Sequence, residues 1–90
     1  MLEGLRELVS WRDTFEPQMQ LWLTEFGYDT AQGSPDRAKA YAQYSAEQVQ
    51  AMWLVRAFML ASIARVDRAH IYMLRNVNDK GGTKFETCGL

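Results

Sequence analysis

An apolar run that ends on a glutamate is the stretch of this sequence best suited to chemistry. Leu21 to Glu25 has the length and composition of a strand, and Gly27 follows it. Period-two alternation places Leu21, Leu23 and Glu25 on one face of that strand. A carboxylate at the end of an apolar face can reach a ligand while the leucines below it stay packed, whereas one in the middle would be costly to bury. Because parallel α/β folds place their chemistry where strands open into loops, Glu25 is the candidate catalytic residue.

The composition limits the classes of protein to consider. Ninety residues allow one small domain, and an apolar fraction of 48% argues against disorder. A net charge of −1 without a basic block argues against nucleic acid or an anionic membrane as the main partner. One histidine and one cysteine, Cys88, supply neither an internal disulfide nor a metal-binding set, and no cofactor is implied.

Neither a membrane span nor an export signal is visible in the sequence. The longest apolar run, Ala51 to Ala64, is interrupted by Arg56 and Ser62 and is shorter than the roughly 20 residues that a bilayer requires. The first residues carry acids where a signal peptide needs a basic start. The sequence therefore leaves the compartment open.

Four predicted elements position Glu25. The spacing of apolar residues predicts a helix over residues 2–16, which Pro17 ends. After the strand over 21–25, Ser45 and Gln48 fit a capping box that begins a helix over 46–64. A second strand follows over 68–74 and is largely apolar on both faces, as in a covered parallel sheet. This order predicts an α/β fold with two parallel strands.

Two polar stretches are predicted to be loops. Residues 28–44 join the first strand to the second helix, with a turn at 33–36 and a short helical turn over 36–44. A loop of this length inside a compact domain is usually functional or mobile. Residues 76–82 contain the asparagines and glycines that are typical of a second loop.

The second helix is apolar on most of its circumference. Its apolar residues fall on two sides, one formed by Val49, Met52, Trp53, Leu60 and Ile63 and the other by Leu54, Val55, Phe58 and Ala61. A helix of this kind is buried on most sides, and one further helix cannot supply that cover. We therefore expect the rest of a larger domain, or another subunit, to pack on it.

Five stretches of the chain resemble one family. They are Thr24-Glu25-Phe26-Gly27-Tyr28-Asp29-Thr30, then 48–57 with Val55-Arg56-Ala57, then Val66-Asp67-Arg68, Tyr72-Met73-Leu74-Arg75-Asn76 and finally 85–90. In this order they are similar to the C-terminal quarter of a retaining glycoside hydrolase of the (β/α)8-barrel clan related to cellulases. The resemblance covers nearly the whole chain and implies that 1–90 is one segment of a partial TIM barrel, from barrel helix six to strand eight.

The resemblance implies that Glu25 is the nucleophile at the end of barrel strand seven, acting on a β-linked polysaccharide or glycoside. The chemistry needs a second carboxyl group about 5–5.5 Å away to protonate the leaving oxygen. The family supplies it from strand four, usually as an Asn-Glu pair, and this sequence has none. Since a barrel takes about 250 residues, the chain resembles a third of an enzyme, and we expect it to be inactive alone. The alternative for Glu25 is an exposed acid at a strand end.

The resemblance also implies substrate-binding residues. Tyr28 offers a flat apolar face with a polar tip for a sugar ring, or it packs the loop. Asp29 suits sugar hydroxyls, and its short side chain is equally typical of a turn. Tyr72 lines the innermost sugar site or packs the barrel, and Arg75 binds substrate or closes its loop. His70 lies deeper and is interpreted as structural.

The sequence departs from the family at two places and leaves a second function open. Glycine is common where helix seven turns toward strand eight, but Ala64 and Arg65 stand here, and a Cβ disfavours a left-handed cap. Asn76 stands where aspartate is frequent, which leaves an acidic role there without support. The alternative function is a small non-enzymatic α/β protein that oligomerises or binds a partner through the helix over 46–64.

Overall fold

The computed structural model describes residues 1–78, 80 and 86–89 of the chain. Its elements are α1 (Leu2–Phe15), β1 (Trp22–Leu23), α2 (Ala46–Ile63) and β2 (Arg68–Ala69). The two strands are parallel, with Trp22 opposite Arg68 and Leu23 opposite Ala69. The predicted α/β class, with two helices and two parallel strands, is confirmed. No helix in the described part of the chain is long and apolar enough to cross a membrane.

Helix α1 is held to the strands by a charged residue. Arg12 is only 7% exposed, and its guanidinium donates to Asp67 Oδ2 at 2.7 Å and to the Met19 carbonyl at 3.2 Å. The same Asp67 oxygen accepts from the Leu21 amide at 2.7 Å. One ion pair therefore fixes the end of α1 to the starts of both strands.

The core lies between the two helices and one face of the sheet. Leu5, Ala61 and Ala64 are buried together, and Ala69 of β2 packs against them. Leu23 lies opposite Ala69, so it shares the face that is turned to the helices. Trp22 and Arg68 lie on the other face of the sheet, with the Arg68 guanidinium 5.1 Å from the centre of the Trp22 ring.

The predicted cap of α2 is confirmed. The Ser45 hydroxyl accepts from the Gln48 amide at 3.2 Å, and the Gln48 side chain accepts from the Ser45 amide at 2.9 Å. Both groups satisfy free helix-terminal donors, so the helix begins at Ala46 as expected.

The end of α2 is a left-handed turn at a residue that is not glycine. Arg65 has φ 65°, and its amide donates to the Ser62 carbonyl at 3.0 Å while Val66 donates to Ala61 at 3.0 Å. These two bonds define a Schellman motif. The chain therefore adopts the usual glycine geometry with a Cβ present.

The predicted strand lengths and the predicted helical turn over 36–44 are wrong. The strands predicted over 21–25 and 68–74 are each reduced to two residues. No helical turn occupies 36–44; instead Tyr41 and Tyr44 exchange backbone hydrogen bonds of 3.0 and 2.9 Å around Ala42, whose φ is 52°. Asp79, 81–85 and Leu90, which include part of the predicted second loop and of the last matching stretch, lie outside the described residues.

The chain leaves a large area uncovered. Its accessible surface is 6530 Å², about a fifth more than the roughly 5,400 Å² typical of a folded monomer of this mass. Its radius of gyration is 14.9 Å, against about 12 Å for a compact domain of this length. The exposed large apolar residues of α2 are Met52, Val55, Phe58, Met59 and Ile63. That the rest of a larger domain or another subunit covers α2 stays a prediction.

Candidate functional site

An extra residue in the first strand turns Glu25 away from the helices. The Leu23 carbonyl accepts from the His70 amide at 2.9 Å, and the Phe26 carbonyl accepts from the Tyr72 amide at 2.7 Å. The two acceptors are three residues apart in the first segment, whereas the two donors are two residues apart in the second. This difference of one residue is the pattern of a β-bulge. The bulge falls over Thr24 and Glu25.

The contacts of Phe26 show what the bulge does. Its ring meets the ring of Phe58 on α2 edge to face, with centroids 5.1 Å apart. Leu23 and Phe26 therefore both face the helices, and strict alternation fails between them. Glu25 lines an open cleft instead of sharing the helical face with Leu23. Bulges commonly re-aim a side chain in this way beside active sites.

The cleft lies where both strands open into loops. It has a volume of about 500 Å³ and is lined by Glu25, Phe26, Gly27, Tyr28, Asp29, Asp36, Tyr72 and Cys88. Four of the predicted site residues, Glu25, Tyr28, Asp29 and Tyr72, are thus brought together. The fifth, Arg75, is exposed and does not line the cleft.

Gly27 lets the two strand ends approach each other. A Cβ built on Gly27 would lie 2.1 Å from the Tyr72 carbonyl oxygen, which no side chain tolerates without a backbone shift. This close approach sets Tyr72, which is 38% exposed, across the cleft from the segment that carries Glu25. Glycine is therefore required at this position for steric reasons.

Tyr28 is held by the first turns of α2. Its ring meets the ring of Trp53 edge to face, with centroids 5.1 Å apart. Its carbonyl accepts a hydrogen bond of 2.6 Å from the side-chain amide of Gln50, which is only 5% exposed. Two residues of one helix thus fix both the ring and the backbone of Tyr28.

Asp29 forms the buried wall of the cleft. It is 1% exposed, and its Oδ2 accepts a hydrogen bond from the Ser34 hydroxyl. Its amide donates to the Asp36 carbonyl at 3.2 Å, and its carbonyl accepts from Ala38 at 2.7 Å. The two backbone bonds form a parallel bridge between Asp29 and Arg37. A turn made by the Asp29 side chain and substrate contact by Asp29 therefore both stay predictions.

The C-terminal segment closes the cleft from the other side. Thr87 Oγ1 accepts from the amides of Thr30 at 3.2 Å and Ala31 at 2.9 Å, and the Cys88 carbonyl accepts from Met73 at 3.2 Å. Burial, and next the negative charge of Asp29, raise the pKa of the Cys88 thiol. A thiol of this kind stays protonated at neutral pH and is a poor nucleophile.

Sequence reasoning missed four residues of this region: Asp36, Gln50, Thr87 and Cys88. Only Gln50 left a usable signal, because a polar residue on the buried side of an apolar helix needs a hydrogen-bond partner. The other three come into place through contacts between distant segments, which local patterns do not reveal.

The remaining candidates lie outside the cleft. Asn76 Oδ1 accepts from the Gly89 amide at 2.7 Å, which closes the loop after β2. His70 is exposed, and its ring lies 5.9 Å from that of Trp22. Among the residues that the structure describes, no group of three His, Cys, Asp or Glu side chains could hold a metal ion.

No model of a protein family, no curated protein and no solved structure matches this chain.

Proposed function

We propose that this chain is the nucleophile-bearing segment of a retaining glycoside hydrolase whose complete form is a (β/α)8 barrel. The observation that carries the proposal is the meeting of Glu25, Tyr28 and Tyr72 in one cleft, at the carboxyl ends of two parallel strands. Active sites of such barrels lie at that end of the strands. Of the eight residues that line this cleft, all except Asp36 belong to stretches that carry the family resemblance.

In the proposed reaction, the ionised carboxylate of Glu25 attacks the anomeric carbon of a β-linked saccharide. The bond from that carbon to the leaving oxygen breaks, and an ester links Glu25 to the sugar. A second carboxyl group gives its proton to the leaving oxygen, then takes one from the water that hydrolyses the ester. We assign that second group to a part of the enzyme beyond these 90 residues.

The environment of Glu25 supports the nucleophile role. The residue is exposed and lines the cleft, so its carboxyl group is accessible to a substrate. The rings of Tyr28 and Tyr72 line the same cleft and offer apolar faces with polar tips to a sugar. Asp36 also lines it, and we assign this residue no part in proton transfer.

The uncovered surface supports the barrel. In a closed barrel, the face of the sheet that bears Trp22 and Arg68 becomes the interior, and each strand gains a second neighbour. The exposed Trp22, together with the short strands, fits a sheet that continues on both sides. Helix neighbours on either side of α1 and α2 would cover Leu8, Trp11 and Phe58, which are exposed here.

The DNA on both sides of the coding sequence tests this proposal at small cost. We expect in-frame upstream sequence that encodes six more strands and the five helices between them, with an Asn-Glu pair at the end of the fourth strand. Stop codons close to both ends would contradict it. Expression of the longer reading frame, with Glu25→Gln beside it, then provides an activity test in which only the unsubstituted enzyme turns over.

One observation favours a second candidate function, a non-enzymatic protein that pairs through α2. Met52, Val55, Met59 and Ile63 lie on one side of α2, and each is at least 42% exposed. They also line an apolar groove of about 570 Å³. A discrete dimer in light scattering, together with flanking stop codons, would favour this candidate over the enzyme fragment.

A further inference from the structure

We propose that Gln50 is a positioning residue for the cleft: its side-chain amide holds the Tyr28 backbone and so sets the direction of the Tyr28 ring. The role of that ring as a sugar platform rests on the proposed function. The hydrogen bond from Gln50 to Tyr28 does not depend on that function, because it is present in the chain without a ligand.

Gln50 would be costly to bury without a hydrogen-bond partner. It is a polar side chain, 5% exposed, on a helix whose other buried residues are Val49, Leu54, Ala57 and Ala61. A leucine there would pack as its neighbours do. A buried amide without a hydrogen bond is strongly disfavoured, and the 2.6 Å bond to the Tyr28 carbonyl meets that need.

Gln50 makes its hydrogen bond next to a segment whose backbone is already fixed. The cleft loop is fixed at Asp29 by the bonds to Asp36 and Ala38, and at Thr30 and Ala31 by Thr87. Tyr28 comes directly before this fixed segment. Gln50 hydrogen-bonds the Tyr28 carbonyl from α2, so it fixes the backbone between the bulge and this segment.

Helix α2 contacts both the backbone and the ring of Tyr28. Gln50 bonds its carbonyl, and Trp53, one turn later on α2, meets its ring at 5.1 Å. Residues three apart on a helix lie on the same face. With the peptide fixed by Gln50, the ring can lie against Trp53 and still line the cleft.

The test begins with the unsubstituted chain in solution, by nuclear magnetic resonance. We expect the side-chain amide protons of Gln50 to exchange with water at least about fivefold more slowly than those of exposed Gln18, because a buried hydrogen bond must open first. We also expect a cross-peak between the rings of Tyr28 and Trp53. Exchange of Gln50 at the rate of Gln18 would overturn the proposal without any variant being made.

Variants then separate positioning from packing. Gln50→Met keeps the volume and loses the donor, and Gln50→Glu keeps the shape but presents a carboxylate to the Tyr28 carbonyl at neutral pH. In both we expect the helix content to persist, the Tyr28–Trp53 cross-peak to weaken and the Asp29 amide to exchange about fivefold faster. Gln18→Leu is the matched control and should change neither readout. Unchanged readouts in a folded Gln50→Met would contradict a positioning role.

Binding of cellobiose, followed by the shifts of Tyr28 and Tyr72, adds the functional arm. If the unsubstituted chain binds cellobiose, we expect Gln50→Met to bind it about fivefold more weakly and Gln18→Leu to bind it as tightly as the unsubstituted chain. If the unsubstituted chain binds no sugar, the proposed function loses support. The ligand-free measurements would still decide the role of Gln50.

Discussion

At the scale of single residues, Gly27 is the position where the cleft tolerates the least change. Its backbone lies against the Tyr72 carbonyl so closely that a Cβ would come within 2.1 Å of that oxygen. The contact joins the segment that carries Glu25 to the end of the β2 segment. The geometry of the site therefore depends on the absence of one methyl group.

Gly27→Ala should destabilise the chain by about 1–3 kcal/mol, the usual cost of forcing an extra carbon into a packed place. It should also move Tyr72 away from Glu25. Urea unfolding measures the first effect. Gly4→Ala is the control, since nothing lies within 4 Å of a Cβ at that exposed helical position, and it should stabilise by about 0.5–1 kcal/mol. Equal effects of the two substitutions would contradict this account.

Some residue-level features could be predicted from the sequence and others could not. The motif around Glu25 located three cleft residues and the stretch after the second strand located Tyr72, because the α-β-α-β order brings the ends of the two strands together. The bulge could not be predicted, since an apolar run looks the same whether or not one residue is skipped in pairing. The burial of Asp29 depends on Ser34, which a local pattern places in a turn without showing the contact.

At the scale of elements, the helices follow the sequence more closely than the strands. Both helices end within one residue of the prediction, because capping and spacing are local signals. Strand length depends on neighbours, and among the residues that the structure describes each strand pairs with one other strand. That explains why the predicted strands are shortened although their composition favours longer ones.

The left-handed end of α2 gives a prediction at this scale. Arg65→Gly should stabilise the chain by about 1 kcal/mol, because a Cβ at φ 65° is strained and glycine is not. The lost 2.5 Å ion pair with Asp13 is exposed and contributes little. Ala64→Gly is the control; its φ of −73° is unstrained and its methyl is buried, so it should destabilise. Thermal unfolding measures both, and a lower melting temperature for Arg65→Gly would refute the strain argument.

The ion pair that holds α1 to the strands predicts a dependence on pH. The Leu21 amide, and next the Arg12 guanidinium, lower the pKa of Asp67 below its ordinary value of 3.8. A lowered carboxyl pKa stabilises the fold at pH values above that ordinary value, and the contribution is lost as the pH falls through the folded-state pKa. The raised pKa of Arg12, caused first by Asp67, matters only in strong alkali.

Asp67→Asn should therefore lower the midpoint of urea unfolding at pH 7. The difference in midpoint between this variant and the unsubstituted chain should become smaller as the pH falls below 4. Asp36→Asn, at an exposed residue outside this ion pair, serves as the control for the general effect of removing a carboxylate. If the difference in urea midpoint between Asp67→Asn and the unsubstituted chain stays constant from pH 7 to pH 3, the ion pair does not stabilise the fold.

At the scale of the whole molecule, the chain exposes more surface than a folded monomer of its mass, and that surface includes five large apolar side chains of α2. The excess over a folded monomer of this mass is of the order of the roughly 800 Å² that one partner buries in a stable interface. The sequence predicted this from the apolar circumference of α2. It could not predict which residues stay bare, since that depends on where α1 and the sheet pack.

The isolated chain should therefore associate as its concentration rises, with no single fixed mass in light scattering. Met59→Glu places a charge on the bare side of α2, where the native residue is 60% exposed, and should reduce association. Gln43→Glu makes the same change of charge at an exposed residue of the loop and should not. A monomer at every concentration would contradict the prediction, and a discrete dimer would favour the non-enzymatic candidate.

The most direct test of the central claim is to trap the glycosyl ester on the nucleophile. The longer reading frame is incubated with a 2,4-dinitrophenyl 2-deoxy-2-fluoro-β-cellobioside, whose phenolate leaves without protonation, and the peptides are analysed by mass spectrometry. We expect one added fluorosugar on the peptide that contains Glu25, and none in Glu25→Gln. An adduct on another carboxylate, or full turnover of an aryl cellobioside by Glu25→Gln, would contradict it.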